Sequence, residues 1–238
     1  MFVTRAVLTL HDSLFFATRE MGTLYETERF IHNYALSYAL FNDRILRVPY
    51  FCSSYRPTYA SDLEKLNALG IYVTPARPLQ WSYLLLTWKM GQVTYHRKAE
   101  RFGGHGNFPE NYGRAKELAP ESVFEFFVVS RERVVLPRWI RLGKWSSKAF
   151  VQTMQVEEVQ AQSGDFVASC VLNPLDVKGK LVVYDLIAMP PVSLIQNARV
   201  QGAYYALDKE RISIPAHMKY TFPAMEHTAA RKTKRKRM

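Results

Sequence analysis

Cysteine is scarce in this sequence. Of 238 residues only Cys52 and Cys170 are cysteines, far apart and in no CxxC pair. That excludes a disulfide-built scaffold and a cysteine-rich zinc site, and it suits a reducing compartment. No stretch approaches the roughly 18 consecutive apolar residues that a membrane span needs. The N-terminal run is interrupted by Arg5 and closed by His11-Asp12, so it does not read as a signal peptide. A cytoplasmic protein is the expectation.

Catalytic signatures are missing too. His11, His32, His96, His105, His217 and His227 make no HxH, HExxH or Hx3–5H spacing. Gly103-Gly104-His105-Gly106 lacks the lysine and the helix of a phosphate loop, and no GxSxG elbow occurs. Glu157-Glu158 and the Asp62/Glu64 pair read as ordinary exposed acids. No cofactor and no metal are expected. Metal-free RNA cleavage demands less, only a base and an acid near a 2′-hydroxyl. His11, Tyr25, His96, His105 and His217 supply the residue types, and nothing in their spacing says that they meet, so a metal-independent endoribonuclease stays as the alternative expectation.

What is abundant is positive charge and apolar side chains. Hydrophobic residues make up 48% and charged residues 22%, which is globular composition. The net charge is +11, and six cations lie in the last eight residues, RKTKRKRM. Residues 1–230 carry 26 positive and 21 negative charges, a net of +5. A mildly basic body with a strongly basic tail favours a polyanionic partner. The domain organisation expected is one domain over 1–228 and a disordered basic tail over 229–238.

Residues 2–10 read as a half-buried strand, with 14–17 as an extension. Ile31, Tyr34, Tyr38 and Phe41 form one helical stripe, so a helix is expected over 28–41, capped near Thr23 or Thr27 and ended by Asn42-Asp43. Tyr34 and Tyr38 read as core. A short helix follows over 61–69, with Ser61 or Asp62 as cap and Gly70 as stop. Further strands are expected at 71–74, 81–90, 123–129, 149–156, 165–172 and 181–188, then a hairpin over 202–214. Tyr50, Phe51, Tyr55 and Tyr59 crowd an irregular stretch and suggest an interface. Residues 91–121, rich in glycine, read as a long insertion carrying Arg97, Lys98, Arg101, Arg114 and Lys116. The order of elements is α+β.

The clearest positive signal is PRWIRLGKWSSK (137–148), which interleaves Arg138, Arg141, Lys144 and Lys148 with Trp139 and Trp145. Single-stranded nucleic acid is held by cations along its backbone and by aromatic faces under its bases. In an extended segment, alternation sets Arg138 opposite Trp139, making one face cationic and the other packed. The tryptophans are then either core or stacking platforms.

REMGTLYETERFIHNYALSYAL (19–40), GIYVTPARPL (70–79), GRAKELAPES (113–122) and PRWIRLGKW (137–145) resemble the small, Cas five-type subunit of type I-D CRISPR surveillance complexes, within the repeat-associated RNA-binding superfamily. The resemblance spans most of residues 1–149. It implies a modified ferredoxin-like (RRM-like) domain, an inserted thumb at about 91–121 and a β-rich C-terminal part. It implies a noncatalytic subunit at the foot of a crRNA-guided complex, since a dedicated ribonuclease makes the crRNA in this subtype. Such a subunit holds the crRNA 5′ handle, touches the backbone and large subunits, and helps place target DNA near the PAM. The alternative expectation becomes a metal-independent endoribonuclease processing CRISPR repeat RNA. Carried onto this chain, Arg114 and Lys116 become thumb or handle contacts, Arg138, Arg141 and Lys144 line an RNA-facing surface, and Arg19 and Tyr25 approach RNA at the turn into the first helix. Only Gly202 stands near the place of the superfamily's C-terminal glycine-rich loop.

Overall fold

The computed structural model describes residues 1–49, 57–89, 112–207 and 211–222. Strands dominate. In chain order they are β1 (Phe2–Leu10), β2 (Arg19–Met21), β3 (Leu24–Glu26), β4 (Tyr72–Val73), β5 (Arg77–Gln80), β6 (Tyr83–Lys89), β7 (Tyr112–Leu118), β8 (Val123–Ser130), β9 (Trp139–Leu142), β10 (Ser147–Glu158), β11 (Ala161–Val167), β12 (Lys180–Ile187), β13 (Leu194–Leu207) and β14 (Ile212–Pro215). Two α-helices, α1 (Asn33–Phe41) and α2 (Tyr59–Leu69), fall between β3 and β4.

β1 lies at the middle of a six-stranded sheet, antiparallel to β8 on one side and β10 on the other. Its alternation explains the placement. Ala6 and Leu8 pair with Phe126 and Phe124 on one face, all fully buried. They join Leu36 and Leu40 of α1 and Leu63 and Leu66 of α2 in one core. Burying a side chain of this size contributes about 1.5–3 kcal/mol, so this layer anchors the fold. β4 and β5 extend the sheet beyond β8, and β9 closes its other edge against β10.

The other face of the same sheet carries Arg5, Val7, Thr9 and Glu125. Glu125 is fully buried, and each of its oxygens accepts from one arginine, Arg5 at 2.7 Å and Arg77 at 2.7 Å. A second four-stranded sheet runs β2-β3-β7-β6. A third is built on the long β13, which pairs with β11, β12 and β14.

The first helix starts later than the stripe predicts. Gly22, at φ +60°, turns residues 19–26 into a hairpin. The Thr27 hydroxyl is tied to the backbone of Phe16, and Ile31 bridges Ala76, so the chain stays extended to residue 31. The cap is therefore His32, whose Nδ1 accepts the Tyr34 N–H. At its far end α1 runs on into a π-turn over Asn42–Leu46. α2 begins at Tyr59, not 61. Asp62 is not its cap, because its carboxylate accepts from the hydroxyls of Thr58 and Tyr38. Gly70 stops α2 at φ +66° as expected.

Residues 112–118, expected inside an irregular insertion, form the regular strand β7 between β3 and β6. The strand expected over 165–172 ends at Val167. Gly202 stands inside β13 opposite Gly164, not in a loop. Tyr59 packs against Tyr34 and Tyr38 instead of standing out as interface. Tyr50, Phe51 and Tyr55, most of the insertion, the turn of the last hairpin and the basic tail lie outside the described residues.

Candidate nucleic-acid interface

The hairpin β9–β10 carries most of the basic-aromatic segment. Its alternation runs against the sequence expectation. Ile140 and Leu142 are buried, so Trp139 and Arg141 share the outer face and the tryptophan is not packed away. Aliphatic side chains win the core positions, leaving Trp139 46% and Trp145 62% exposed. Pairing in register puts Lys148 opposite Arg141 and Phe150 opposite Trp139, so all four lie on one face.

That face is ordered by ring and cation contacts. The Lys148 ammonium lies 4.1 Å from the Trp139 ring centre, and the Arg138 guanidinium 5.4 Å from that of Phe150. Trp139 meets Phe150 edge-on at 4.9 Å and His11, at the end of β1, at 4.8 Å. These contacts hold the rings upright without covering them.

The turn between β9 and β10 adds a second platform. Gly143 adopts φ +72°, and the next N–H, that of Lys144, donates to the Phe15 carbonyl at 2.9 Å. Trp145 then stacks on Phe15 at 5.5 Å with 22° between the planes, and the Lys144 ammonium lies 5.8 Å from the same ring. Arg141 donates to the Ser146 carbonyl. Among the described residues, Arg138, Arg141, Lys144 and Lys148 form no ion pair. Asp12 accepts the Lys148 backbone N–H.

Beside this turn runs a groove of about 750 Å³ lined by Arg141 and Trp145, by Leu86 and Thr87 of β6, and by the acids Asp12 and Glu117. It links the basic hairpin to the small sheet.

The remaining predicted cations are differently employed. Lys116 binds Glu26 at 3.3 Å and lies 4.5 Å from the Tyr83 ring centre; Arg19 approaches the same Glu26 at 3.6 Å. Burial pushes the Tyr83 phenol up to about 12, so it meets Lys116 as a neutral ring. Register places Arg19, Arg114 and Lys116 on one face of the small sheet. Tyr25 pairs with Ala115 and so falls on the opposite face. The structure thus brings Arg138, Arg141, Lys144, Trp145 and Lys148 together, and Arg19, Arg114 and Lys116 together elsewhere. Arg97, Lys98 and Arg101 lie outside the described residues.

Of the histidines weighed for metal-free cleavage, His11 stands in the aromatic face and His217 lies 6.1 Å from Tyr205 of β13. His96 and His105 lie outside the described residues. The aromatic partners Phe15 and Phe150 carry no motif in the sequence, and His11 enters this face as a ring against Trp139. Only Phe150 had a local signal, its period-two spacing from Lys148.

A family model described as type I-D CRISPR-associated protein Cas5/Csc1 matches residues 1–223. No curated protein matches the chain. A chain in the cryo-EM structure of the type III-B Cmr-β complex bound to cognate target RNA and AMPPnP superposes with a TM-score of 0.45 at 10% identity, covering 83% of this chain and 86% of that one. No helix among the described residues is long and apolar enough to cross a membrane.

Proposed function

The chain belongs to the type I-D CRISPR-associated Cas5/Csc1 family, and from that premise we propose that it is a noncatalytic strand-gripping subunit of a crRNA-guided effector complex acting in the cytoplasm in antiviral defence. It holds the crRNA 5′ handle across the β9–β10 face and its groove. It meets the backbone and large subunits and helps place target DNA near the PAM.

The observation carrying this reading is the exposed pairing of Lys148 with Trp139, flanked by cations that make no ion pair among the described residues. Phosphates are held by cations and bases by ring faces. A basic face without tryptophans would serve a duplex backbone equally well; the two exposed rings favour an unpaired strand. The strand order also supports a modified ferredoxin-like reading of the central sheet. β1 sits between two antiparallel neighbours, the helices fill the first crossover, and β9 stands where a second helix would fall.

A salt titration of handle RNA binding tests the reading. Each phosphate neutralised on a single strand contributes roughly −0.7 to the slope of log K against log salt, so four to six contacts give about −3 to −4. Reversal of Arg138 and Arg141 to Glu lowers both the affinity and incorporation into the complex. A flat slope refutes it. Handle RNA incubated with the chain in EDTA stays intact; specific cleavage would make the protein a metal-independent endoribonuclease instead.

A further inference from the structure

A second basic cleft, of about 810 Å³, opens between β5 of the central sheet and the C-terminal sheet. Arg5, Arg29, Arg77 and Arg211 line it together with Phe30 and Trp81, and no acid is among its lining residues. None of these side chains stands in the basic-aromatic segment. They come from β1, the stretch before α1, β5 and the turn after it, and the residue just before β14, so the cleft exists only in the folded chain.

Its charge is built in. Glu125 lies beneath it, fully buried, and grips Arg5 with one oxygen and Arg77 with the other. One carboxylate therefore orients two guanidiniums and cancels a single charge. Four arginines against that one acid leave an excess of three positive charges at the cleft. Arg29 and Arg211 form no ion pair among the described residues. Instead the Arg29 guanidinium lies 5.1 Å from the Trp81 ring centre and 5.3 Å from that of Phe30. Cys170, also in the lining, adds no negative charge, because burial pushes its thiol up to about 12.

We propose that this cleft is a second strand-binding site, taking a phosphodiester of single-stranded nucleic acid on its arginines and an unpaired base against Trp81. Guanidinium forks suit carboxylate and phosphate alike. The exposed indole beside Arg29 decides for the nucleotide, since every base has a face to stack and an acidic side chain has none. Trp81 is 40% exposed, which leaves ring surface for a base. A volume of this order accommodates a nucleotide. The assignment is independent of the handle reading, because the two sites share no residue.

The experiment uses the full chain with a short fluorescein-labelled oligouridylate, read by anisotropy over a salt series and by ultraviolet cross-linking with peptide mapping. A cross-link on the peptide containing Trp81 is expected in the native chain. It persists when Arg138 and Arg141 are reversed to Glu, so loss of the hairpin site is told apart from loss of this one. The pair Arg29→Ala and Arg211→Ala removes that cross-link and lowers the salt slope by about 1.4. Trp81→Leu weakens the cleft's contribution about tenfold. A parallel oligodeoxythymidylate shows whether the strand is RNA or DNA, and binding of either supports the site. Cross-links confined to Trp139 and Trp145 overturn it, as does an Arg29/Arg211 variant with native slope. Displacement of Arg29 and Arg211 contacts by polyglutamate, with no competition from either oligonucleotide, reassigns the cleft to an acidic protein partner.

Discussion

Lys148 and Trp139 are diagonal neighbours across the β9–β10 pair, with the ammonium 4.1 Å from the indole centre. The contact orients the lysine while leaving the ring 46% exposed. Such a pair presents a charge and a stacking face to the same nucleotide. Trp139→Ala is therefore expected to weaken handle RNA by about tenfold, in line with about 1–3 kcal/mol for one stacked base. Trp139→Phe retains most of the affinity. Lys148→Ala lowers affinity less but reduces the salt slope by about 0.7. Fluorescence anisotropy over a salt series separates the two effects.

The turn that presents Trp145 depends on Gly143. At φ +72° a side chain is strained, and a Cβ there would lie 2.7 Å from the Phe15 carbonyl oxygen and 2.7 Å from Leu14. The backbone oxygen cannot yield, because it accepts the Lys144 N–H. Gly143→Ala is expected to cost about 1–3 kcal/mol. It also shifts Trp145 off Phe15, so thermal unfolding and RNA affinity fall together. A variant with native affinity would show that Trp145 does not need this turn.

Glu125 is the pivot of the opposite end of the same face. Glu125→Ala leaves Arg5 and Arg77 facing each other with no counter-charge. Both arginines reach solvent, with side chains 33% and 43% exposed, which softens the loss. A cost of about 2–4 kcal/mol is expected, at the low end for breaking a buried pair. Urea unfolding measures it. Glu125→Gln, which keeps the shape and one acceptor, falls between the two.

Much of this molecule was legible before folding, and the misses share a cause. β1 announced itself by an alternating pattern rich in β-formers and β8 by a short, nearly unbroken apolar run, and Gly70 announced the end of α2. The start of α1 falls later than expected because Thr23 sits in the turn of the β2–β3 hairpin and Thr27 spends its hydroxyl on the backbone of Phe16, a residue eleven positions back in the segment before β2. The outward turn of Trp139 was missed because alternation fixes which residues share a face, not which face meets the core. Ile140 and Leu142 settled that through α1 and the sheet. The arginine cleft was invisible for a stronger reason. Arg5, Arg29, Arg77 and Arg211 are isolated in sequence, and only sheet topology assembles them.

His32 and Asp176 bracket a buried network with opposite responses to acid. His32 caps α1 through Nδ1 and donates from Nε2 to the Val192 carbonyl. Burial lowers it to about 4, because the charged ring would lose its hydration, and the bond to the Val192 carbonyl offsets only part of that loss. Asp176 accepts from Asn33, Tyr72 and the Thr221 N–H, and burial raises it to about 6. The signs follow from which state binds the proton. Between pH 6.5 and 4 the unfolded chain protonates its histidine while the fold does not, so His32 loses stability as pH falls. Between pH 6 and 3.8 the fold protonates Asp176 while the unfolded chain does not, so Asp176 gains stability as pH falls. At about 1.4 kcal/mol per pH unit, each swing amounts to about 3 kcal/mol and the two nearly cancel. His32→Asn, which keeps a capping oxygen, uncovers the Asp176 gain, so stability relative to the native chain climbs as pH falls from 6.5 to 4. Asp176→Asn uncovers the His32 loss and drifts the other way. Denaturant unfolding at stepped pH gives both difference curves. Parallel curves for the three proteins would mean that neither group is held away from its ordinary range.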